Sequence, residues 1–166
     1  MPLRYARMRG SRPLDDHKES AMTNPPLALE PLAELHVQIG APIEVGRVPG
    51  GRRRIIPILG GTVTGRITGT IEPGGADWSL QRDDGTATVS ATYPVRTDDG
   101  AILTIANKGT ITVHDGAPLG LTAIAVEAPE EGPWAHLNHT PVVGSLTLEL
   151  GSDRPVRLAF YTVQVA

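Results

Sequence analysis

Apolar residues recur at every second position in this chain, in runs separated by short glycine-containing turns. The clearest run extends over residues 62–71, where aliphatic side chains and glycines occupy one face and mostly threonines occupy the other. A helix would need apolar residues three and four positions apart, and glycine and β-branched residues weaken helices. The pattern therefore predicts β-strands, and no segment convincingly predicts a helix.

Turn residues divide the alternating runs at close intervals. Asp84-Gly85 and Asp99-Gly100 each separate two runs, and Asp-Gly pairs favour tight β-hairpins. About eight to ten strands fit between the turns, with little or no helix. We predict an all-β fold, a single antiparallel up-and-down β-barrel, because most links are short hairpins and closure removes exposed strand edges.

The first 31 residues lack this alternation and carry scattered charges and prolines. Such composition is typical of a disordered segment. We therefore predict a disordered tail over residues 1–31, with Met22 as an alternative start of the native chain, and a barrel domain over residues 32–166.

Composition limits the classes of partner and compartment. With 166 residues the chain can bury the core of one domain, and its net charge of −3 argues against nucleic acid as the main partner. It has no cysteine, so disulfides and thiolate chemistry are excluded, as suits a cytoplasmic protein. No run of about 18 apolar residues is present, so we expect no membrane span.

An ordered series of short motifs resembles a known family. The motifs are Gly51-Arg52-Arg53, Pro57-Ile58, Gly60-Gly61, Pro73-Gly74-Gly75-Ala76-Asp77-Trp78, Tyr93, Asp98-Asp99-Gly100, Asn107-Lys108-Gly109, Glu127 and Trp134-x-x-Leu137-Asn138. In this order they resemble the domain-of-unknown-function family numbered 3237, a family of small bacterial and fungal proteins. The resemblance covers roughly residues 32–166.

The resemblance implies a lipocalin-like antiparallel barrel, often dimeric, so we expect a homodimer. Some relatives in fungal polyketide pathways are linked to ring closure or lactone formation, which implies a small-molecule ligand or substrate. This chain departs from the usual pattern before Glu127, where the segment is shortened and Val126 replaces an expected aromatic residue. Substrate preference is therefore not carried over from the family.

Two carboxylates are the candidate proton-transfer residues. Asp77 follows a glycine turn and precedes an indole, whose apolar surface would raise the pKa of the carboxyl group. Glu127 ends an apolar strand, and two carboxylates in one cavity would have their pKa values pushed apart. The alternatives are structural: Asp77 caps a turn beside a core Trp78, and Glu127 is a solvated strand end.

Other polar and aromatic residues are candidates for substrate binding. One face of the Arg52–Arg54 segment would bind a carboxylate or enolate, unless these arginines are solvated or form salt bridges. The amides of Asn107 and Asn138 would stabilise an oxyanion, unless they serve as turn or strand-end residues. The predicted substrate-binding set is Arg52, Trp78, Tyr93, Asn107, Trp134 and Asn138, with the aromatic members as cavity walls.

Metal and cofactor chemistry have little support in the sequence. His136-x-x-His139 has no clear third ligand, so we predict no metal site. The glycine-rich segments join strand to strand, so no helix N-terminus is offered to a phosphate. Three hypotheses remain open: a cofactor-free acid/base enzyme for a carbonyl- or lactone-containing metabolite, a carrier or sensor barrel, and a dimerising scaffold.

Overall fold

The computed structural model describes residues 24–166, which form ten β-strands and one turn of 3-10 helix. The strands are β1 (Leu27–Ile39), β2 (Ile43–Val48), β3 (Gly51–Gly65), β4 (Gly69–Ile71), β5 (Gly75–Gln81), β6 (Ala87–Thr97), β7 (Ile102–His114), β8 (Ala117–Glu127), β9 (Val142–Leu148) and β10 (Val156–Val165). The 3-10 helix spans Ala135–His139. The predicted strand content is confirmed.

The strands close into an antiparallel up-and-down barrel. From β5 to β10 each strand pairs with the next, β10 pairs with β1, and β1 pairs with β3. Strands β1 and β2 lie end to end along one side of β3, while β4 and β5 lie end to end along its other side. Ten strands therefore fill eight positions around the barrel, and the predicted fold class is confirmed.

The barrel begins earlier in the chain than the sequence predicts. β1 starts at Leu27, five residues before the predicted boundary, and Leu27 pairs with Val165 of β10. The ladder continues through Pro31, where the register shifts before Ala33, so a proline within the strand is accommodated at an irregularity. The predicted start at Met22 lies outside the described residues.

The paired glycines of β3 lie within the strand, where glycine is unusual. β3 continues through Gly60 and Gly61 to Gly65, and the run over residues 62–71 is interrupted by a turn at residues 66–68. A Cβ atom on Gly61 would overlap the carbonyl oxygen of His36 on β1. Glycine is therefore needed here for close approach of two strands, which lets β3 curve along the barrel.

The two ends of the barrel differ. The β2–β3, β5–β6, β7–β8 and β9–β10 hairpins lie at one end, which we call the mouth. The β3–β4 and β6–β7 turns and the 3-10 helix lie at the other, which we call the closed end. Leu137 of the 3-10 helix is 1% exposed and packs into the aliphatic core there. The barrel interior is consequently accessible from the mouth.

Candidate functional site

A cavity of about 350 Å³ occupies the mouth-side half of the barrel interior. Its wall is mostly aliphatic, with contributions from strands on every side of the barrel. The polar and charged side chains along it include Arg54, Asp77, Ser79, Gln81, Tyr93 and Asn107. An apolar cavity with a few polar groups is the usual form of a small-molecule site.

Three residues on adjacent strands form one row across the cavity wall. Asp77 of β5 pairs with Ala91 of β6, and Ala91 pairs with Asn107 of β7. Neighbouring strands lie about 4.8 Å apart, so the backbones of Asp77 and Asn107 are separated by roughly 10 Å. Because Ala91 has only a methyl side chain, no bulky side chain separates the carboxyl group from the amide in this row.

The carboxyl group of Asp77 is half-buried and tied to the sheet. Its Oδ1 atom accepts a hydrogen bond of 2.7 Å from the backbone N–H of Ser90. The pairing of β5 with β6 skips Trp78 and Ser79, so the carboxylate occupies a place where the ladder is interrupted. Burial raises the pKa of Asp77, partly offset by the Ser90 hydrogen bond and by Arg53 and Arg54. The group therefore holds a proton more tightly than an exposed aspartate.

Two deeply buried polar groups on the cavity wall have no partner within residues 24–166. Tyr93 is 2% exposed and Asn107 is 1% exposed, and neither Tyr93 Oη nor Asn107 Oδ1 has a hydrogen bond there. Burial raises the pKa of Tyr93, so its hydroxyl keeps its proton. Unpartnered buried polar atoms cost about 1–3 kcal/mol each, which makes them candidates for ligand contacts.

The three adjacent arginines have different surroundings. Arg54 lines the cavity, whereas Arg52 is exposed at the mouth and its Nε lies 3.2 Å from Glu44 Oε2. Arg53 points outward and donates to the backbone oxygen of Trp78. The predicted role of Arg52 in substrate binding is therefore not supported by its position. Arg54 lies on the same strand face as Arg52, and the substrate-binding set predicted from the sequence does not include it.

Trp78 and Glu127 lie on the outer surface of the barrel. Trp78 is 48% exposed and pairs with Ile55 of β3 on the outer face, because its neighbour Asp77 points inward. Glu127 is exposed at the closed end of β8, while the side chain of Val126 is buried. The structure therefore does not bring Glu127 together with Asp77, and Trp78 is not a cavity wall.

Trp134 and Asn138 stabilise the closed end. Trp134 is partly buried against the core, and its Nε1 atom lies 3.1 Å from each carboxylate oxygen of Asp99. Asn138 Oδ1 accepts a hydrogen bond of 2.8 Å from Ala128 N, and its Nδ2 donates one of 3.1 Å to Ala128 O. Both residues belong to the β8–β9 connection and do not line the cavity. Their predicted contact with substrate has no geometric support.

A family model described as "Protein of unknown function (DUF3237)" matches residues 27–163. The chain belongs to this family. The predicted family resemblance is thus confirmed, and the match starts at the first residue of β1.

Curated relatives of this DUF3237 chain are UPF0311 proteins. The one from Clostridium acetobutylicum is 40% identical over 88 residues, which are 52% of this chain and 56% of the relative. The one from Bradyrhizobium diazoefficiens is 44% identical over 72 residues, which are 43% of this chain and 47% of the relative. The aligned part of the chain thus spans about half the length of the curated relatives it matches.

Several solved structures match over most of the DUF3237 chain. A "beta-barrel like protein" of Acinetobacter baumannii has 32% identity and a TM-score of 0.77, covering 86% of this chain and 99% of that one. A protein of unknown function from Rhodopseudomonas palustris has 27% identity and a TM-score of 0.76, covering 85% and 100%. An "enzyme" of Penicillium herquei has 20% identity and a TM-score of 0.66, covering 93% and 99%, and shows a shared fold.

Membrane-spanning helices and clustered metal ligands are both absent from the described part of the chain. Within residues 24–166, no helix has the length and apolar character needed to cross a membrane. The same residues contain no group of three potential metal ligands among histidine, cysteine, aspartate and glutamate. A single chain does not test the predicted homodimer or small-molecule ligand, which stay predictions.

Proposed function

We propose that this barrel is a cofactor-free acid/base enzyme acting on a carbonyl-containing small molecule held in the cavity. The observation that carries the proposal is the placement of Asp77 and Asn107 on opposite sides of Ala91 in an apolar pocket. A carboxyl group and an amide thus lie in one row of the cavity wall, on either side of a methyl side chain. This is the arrangement required to move a proton and to stabilise an oxygen anion.

In the proposed step, the ionised carboxylate of Asp77 removes a proton from the carbon next to the substrate carbonyl. The electron pair of the C–H bond forms the C=C bond of an enolate, and the carbonyl π electrons move to oxygen. The side-chain amide of Asn107, rotated to present its NH₂ group, donates a hydrogen bond to that oxygen. Asp77 then returns the proton to the same or another atom.

The apolar wall makes Asp77 suited to this role. A carboxylate that is partly removed from water is a stronger base than an exposed one, because burial disfavours its charged form. Its hydrogen bond from Ser90 fixes the carboxylate without neutralising it. Enolate formation of this kind is a step of carbon–carbon bond-forming cyclase reactions. In lactone formation or hydrolysis the same carboxylate would instead remove the proton of the attacking hydroxyl group or water, and Asn107 would stabilise the oxyanion of the tetrahedral intermediate. These are the reaction classes we propose.

A non-catalytic carrier is the second candidate, and the mostly aliphatic wall favours it. A carrier for an apolar molecule needs no carboxylate in its cavity, however, and burying one is costly. One fold neighbour is described as an enzyme, which supports the capacity of this architecture for catalysis. The position of Asp77 leads us to prefer the enzyme.

Deuterium exchange tests the proposal without requiring the full reaction. The protein is incubated in D₂O with a metabolite extract of its source organism, together with 1-tetralone and dihydrocoumarin as defined carbonyl compounds. Mass spectrometry then identifies compounds that gain deuterium faster than in buffer. We expect such a compound with the wild-type protein and a loss of about 10²-fold or more with Asp77→Asn.

The matched control is Glu127→Gln, which removes an exposed carboxylate at the closed end. It is expected to exchange at the wild-type rate. Exchange that is equally fast in wild type and Asp77→Asn would exclude Asp77 as the base. A compound that stays bound in native mass spectrometry, without exchange or turnover in either protein, would favour the carrier.

A further inference from the structure

Arg54 is the cavity-facing member of three consecutive arginines, and its surroundings differ from those of other arginines near the mouth. Arg47 forms a two-point ion pair with Asp83, at 2.7 and 2.8 Å, and Arg52 pairs with Glu44. Within residues 24–166, Arg54 forms no ion pair and donates no side-chain hydrogen bond. It is a half-buried cation in a mostly aliphatic pocket.

The register places Arg54 beside the proposed proton-transfer group. Arg54 pairs with Ser79 of β5, and Ile56 pairs with Asp77. The Cα atoms of Arg54 and Asp77 are thus diagonal neighbours, roughly 7–8 Å apart, with Arg54 nearer the mouth. Ser79 is 5% exposed and also lines the cavity, directly across the strand pair from Arg54.

A guanidinium group in such a place favours a particular ligand chemistry. Arginine stays charged in proteins, and its planar fork matches the two oxygens of a carboxylate. The Asp77 carboxylate interacts with Arg54 only at a distance, without an ion pair, so a bound anion would supply the direct contact that the half-buried guanidinium group lacks. Deeper in the cavity, aliphatic side chains such as Ile58, Leu146 and Leu158 offer contacts only to an apolar group.

We propose that Arg54 and Ser79 form an anion subsite at the mouth, and that the ligand is a monocarboxylate with an apolar ring or chain. The carboxylate binds Arg54, the apolar body enters the barrel, and a carbonyl several bonds away reaches Asp77. This inference rests on the proposed function for the position of the carbonyl, but the anion subsite itself is testable by binding alone.

Two fluorescent probes of the same shape test the charge preference. The probes are 2-naphthoate and the uncharged 2-naphthalenemethanol, whose affinities are measured by calorimetry or fluorescence titration. We expect wild-type protein to bind 2-naphthoate at least about 10-fold more tightly, because only the carboxylate engages the guanidinium fork. Arg54→Met should lose about 10-fold or more in 2-naphthoate affinity and change 2-naphthalenemethanol affinity by less than about 2-fold.

The control is Arg47→Met, which removes an exposed, ion-paired cation at the mouth and should leave both affinities unchanged. Equal affinity of wild-type protein for the two probes, or no binding of either, would overturn the inference. Equal weakening of 2-naphthoate binding in Arg54→Met and Arg47→Met would overturn it as well. The weakening would then come from the loss of any positive charge near the mouth and not from the loss of a specific contact.

The outcome separates this inference from the proposed function. Loss of deuterium exchange in Asp77→Asn together with unchanged 2-naphthoate binding in Arg54→Met would retain the enzyme and remove the anion subsite. Loss of 2-naphthoate binding in Arg54→Met, with no effect of Asp77→Asn on exchange, would retain the subsite in a carrier.

Discussion

Asp77 accepts a hydrogen bond of 2.7 Å from the backbone amide of Ser90 on the neighbouring strand. The carboxylate thereby replaces a missing contact of the β5–β6 ladder while lining the cavity. One side chain thus has two functions: it supports the sheet and it provides the proposed base. Substitutions of Asp77 are therefore chosen so that one removes only the ionisable group and another also removes the acceptor for the Ser90 amide.

Asp77 makes the stability of the barrel depend on pH. Its pKa is raised above the ordinary aspartate value by burial, so the folded protein binds this proton more tightly than the unfolded chain. The stabilisation that the folded state gains from binding this proton is complete below the unfolded-state pKa of about 3.9. It is lost as pH rises through the folded-state pKa. We therefore expect the free energy of unfolding of wild type, relative to that of Asp77→Asn, to fall over this range.

Urea unfolding of both proteins between about pH 4 and pH 8 measures this difference. Asparagine keeps an oxygen acceptor for the Ser90 amide, whereas Asp77→Ala removes it and should be less stable than Asp77→Asn by about 1–3 kcal/mol. A pH-independent difference between wild type and Asp77→Asn would mean that the carboxyl group has the same pKa in both states.

Asn107→Leu should stabilise the protein and reduce its activity. Asn107 is 1% exposed, and its Oδ1 atom has no partner within residues 24–166, so leucine removes an unsatisfied polar group at similar volume. We expect a gain of about 1–3 kcal/mol in the free energy of unfolding. The rate of deuterium exchange should fall by about 10²–10³-fold if the amide stabilises the enolate oxygen.

Thr162→Val is the matched control for this prediction. Thr162 of β10 is 5% exposed and its Oγ1 atom is likewise unpartnered within the described residues, but it does not line the cavity. Valine should therefore stabilise the barrel without changing exchange. An Asn107→Leu protein that is more stable and equally active would show that the amide has no part in the reaction.

Strand alternation explains both the successes and the errors of the sequence-based prediction. The period of two was sufficient to predict an antiparallel barrel, and Asp77, Tyr93 and Asn107 all line its cavity. The same period forbids adjacent residues from sharing a face. Assigning both Asp77 and Trp78 to the interior was therefore inconsistent with a regular strand, and the structure places Trp78 outside.

The errors at Arg52, Trp134 and Asn138 arise from position along the barrel rather than from strand face. Arg52 and Arg54 share a face, but only Arg54 lies deep enough to line the cavity. Trp134 and Asn138 lie at the closed end because the β8–β9 connection folds across it. Which end of a strand meets a ligand depends on long-range pairing, and a single sequence does not reveal this.

Asn138→Ala should destabilise the closed end without affecting the cavity. Asn138 forms two hydrogen bonds with the backbone of Ala128, which is 8% exposed. Removing both leaves a buried N–H and C=O without these partners, at a cost of about 1–3 kcal/mol. Urea unfolding measures the loss, and the affinity for 2-naphthoate should stay within about 2-fold of wild type. A weakened 2-naphthoate affinity at unchanged stability would instead support the ligand contact predicted from the sequence.

Gly61→Ala in β3 should be more damaging than Gly74→Ala in the link between β4 and β5. A Cβ atom on Gly61 would overlap the carbonyl oxygen of His36, so β3 and β1 would have to separate where they close the barrel. Gly74 also has a positive φ, of 110°, but a Cβ atom there meets nothing within 4 Å. We expect a loss of about 3 kcal/mol or more for Gly61→Ala and about 1 kcal/mol for Gly74→Ala, measured by urea unfolding. Equal losses would show that the β1–β3 contact adjusts at little cost.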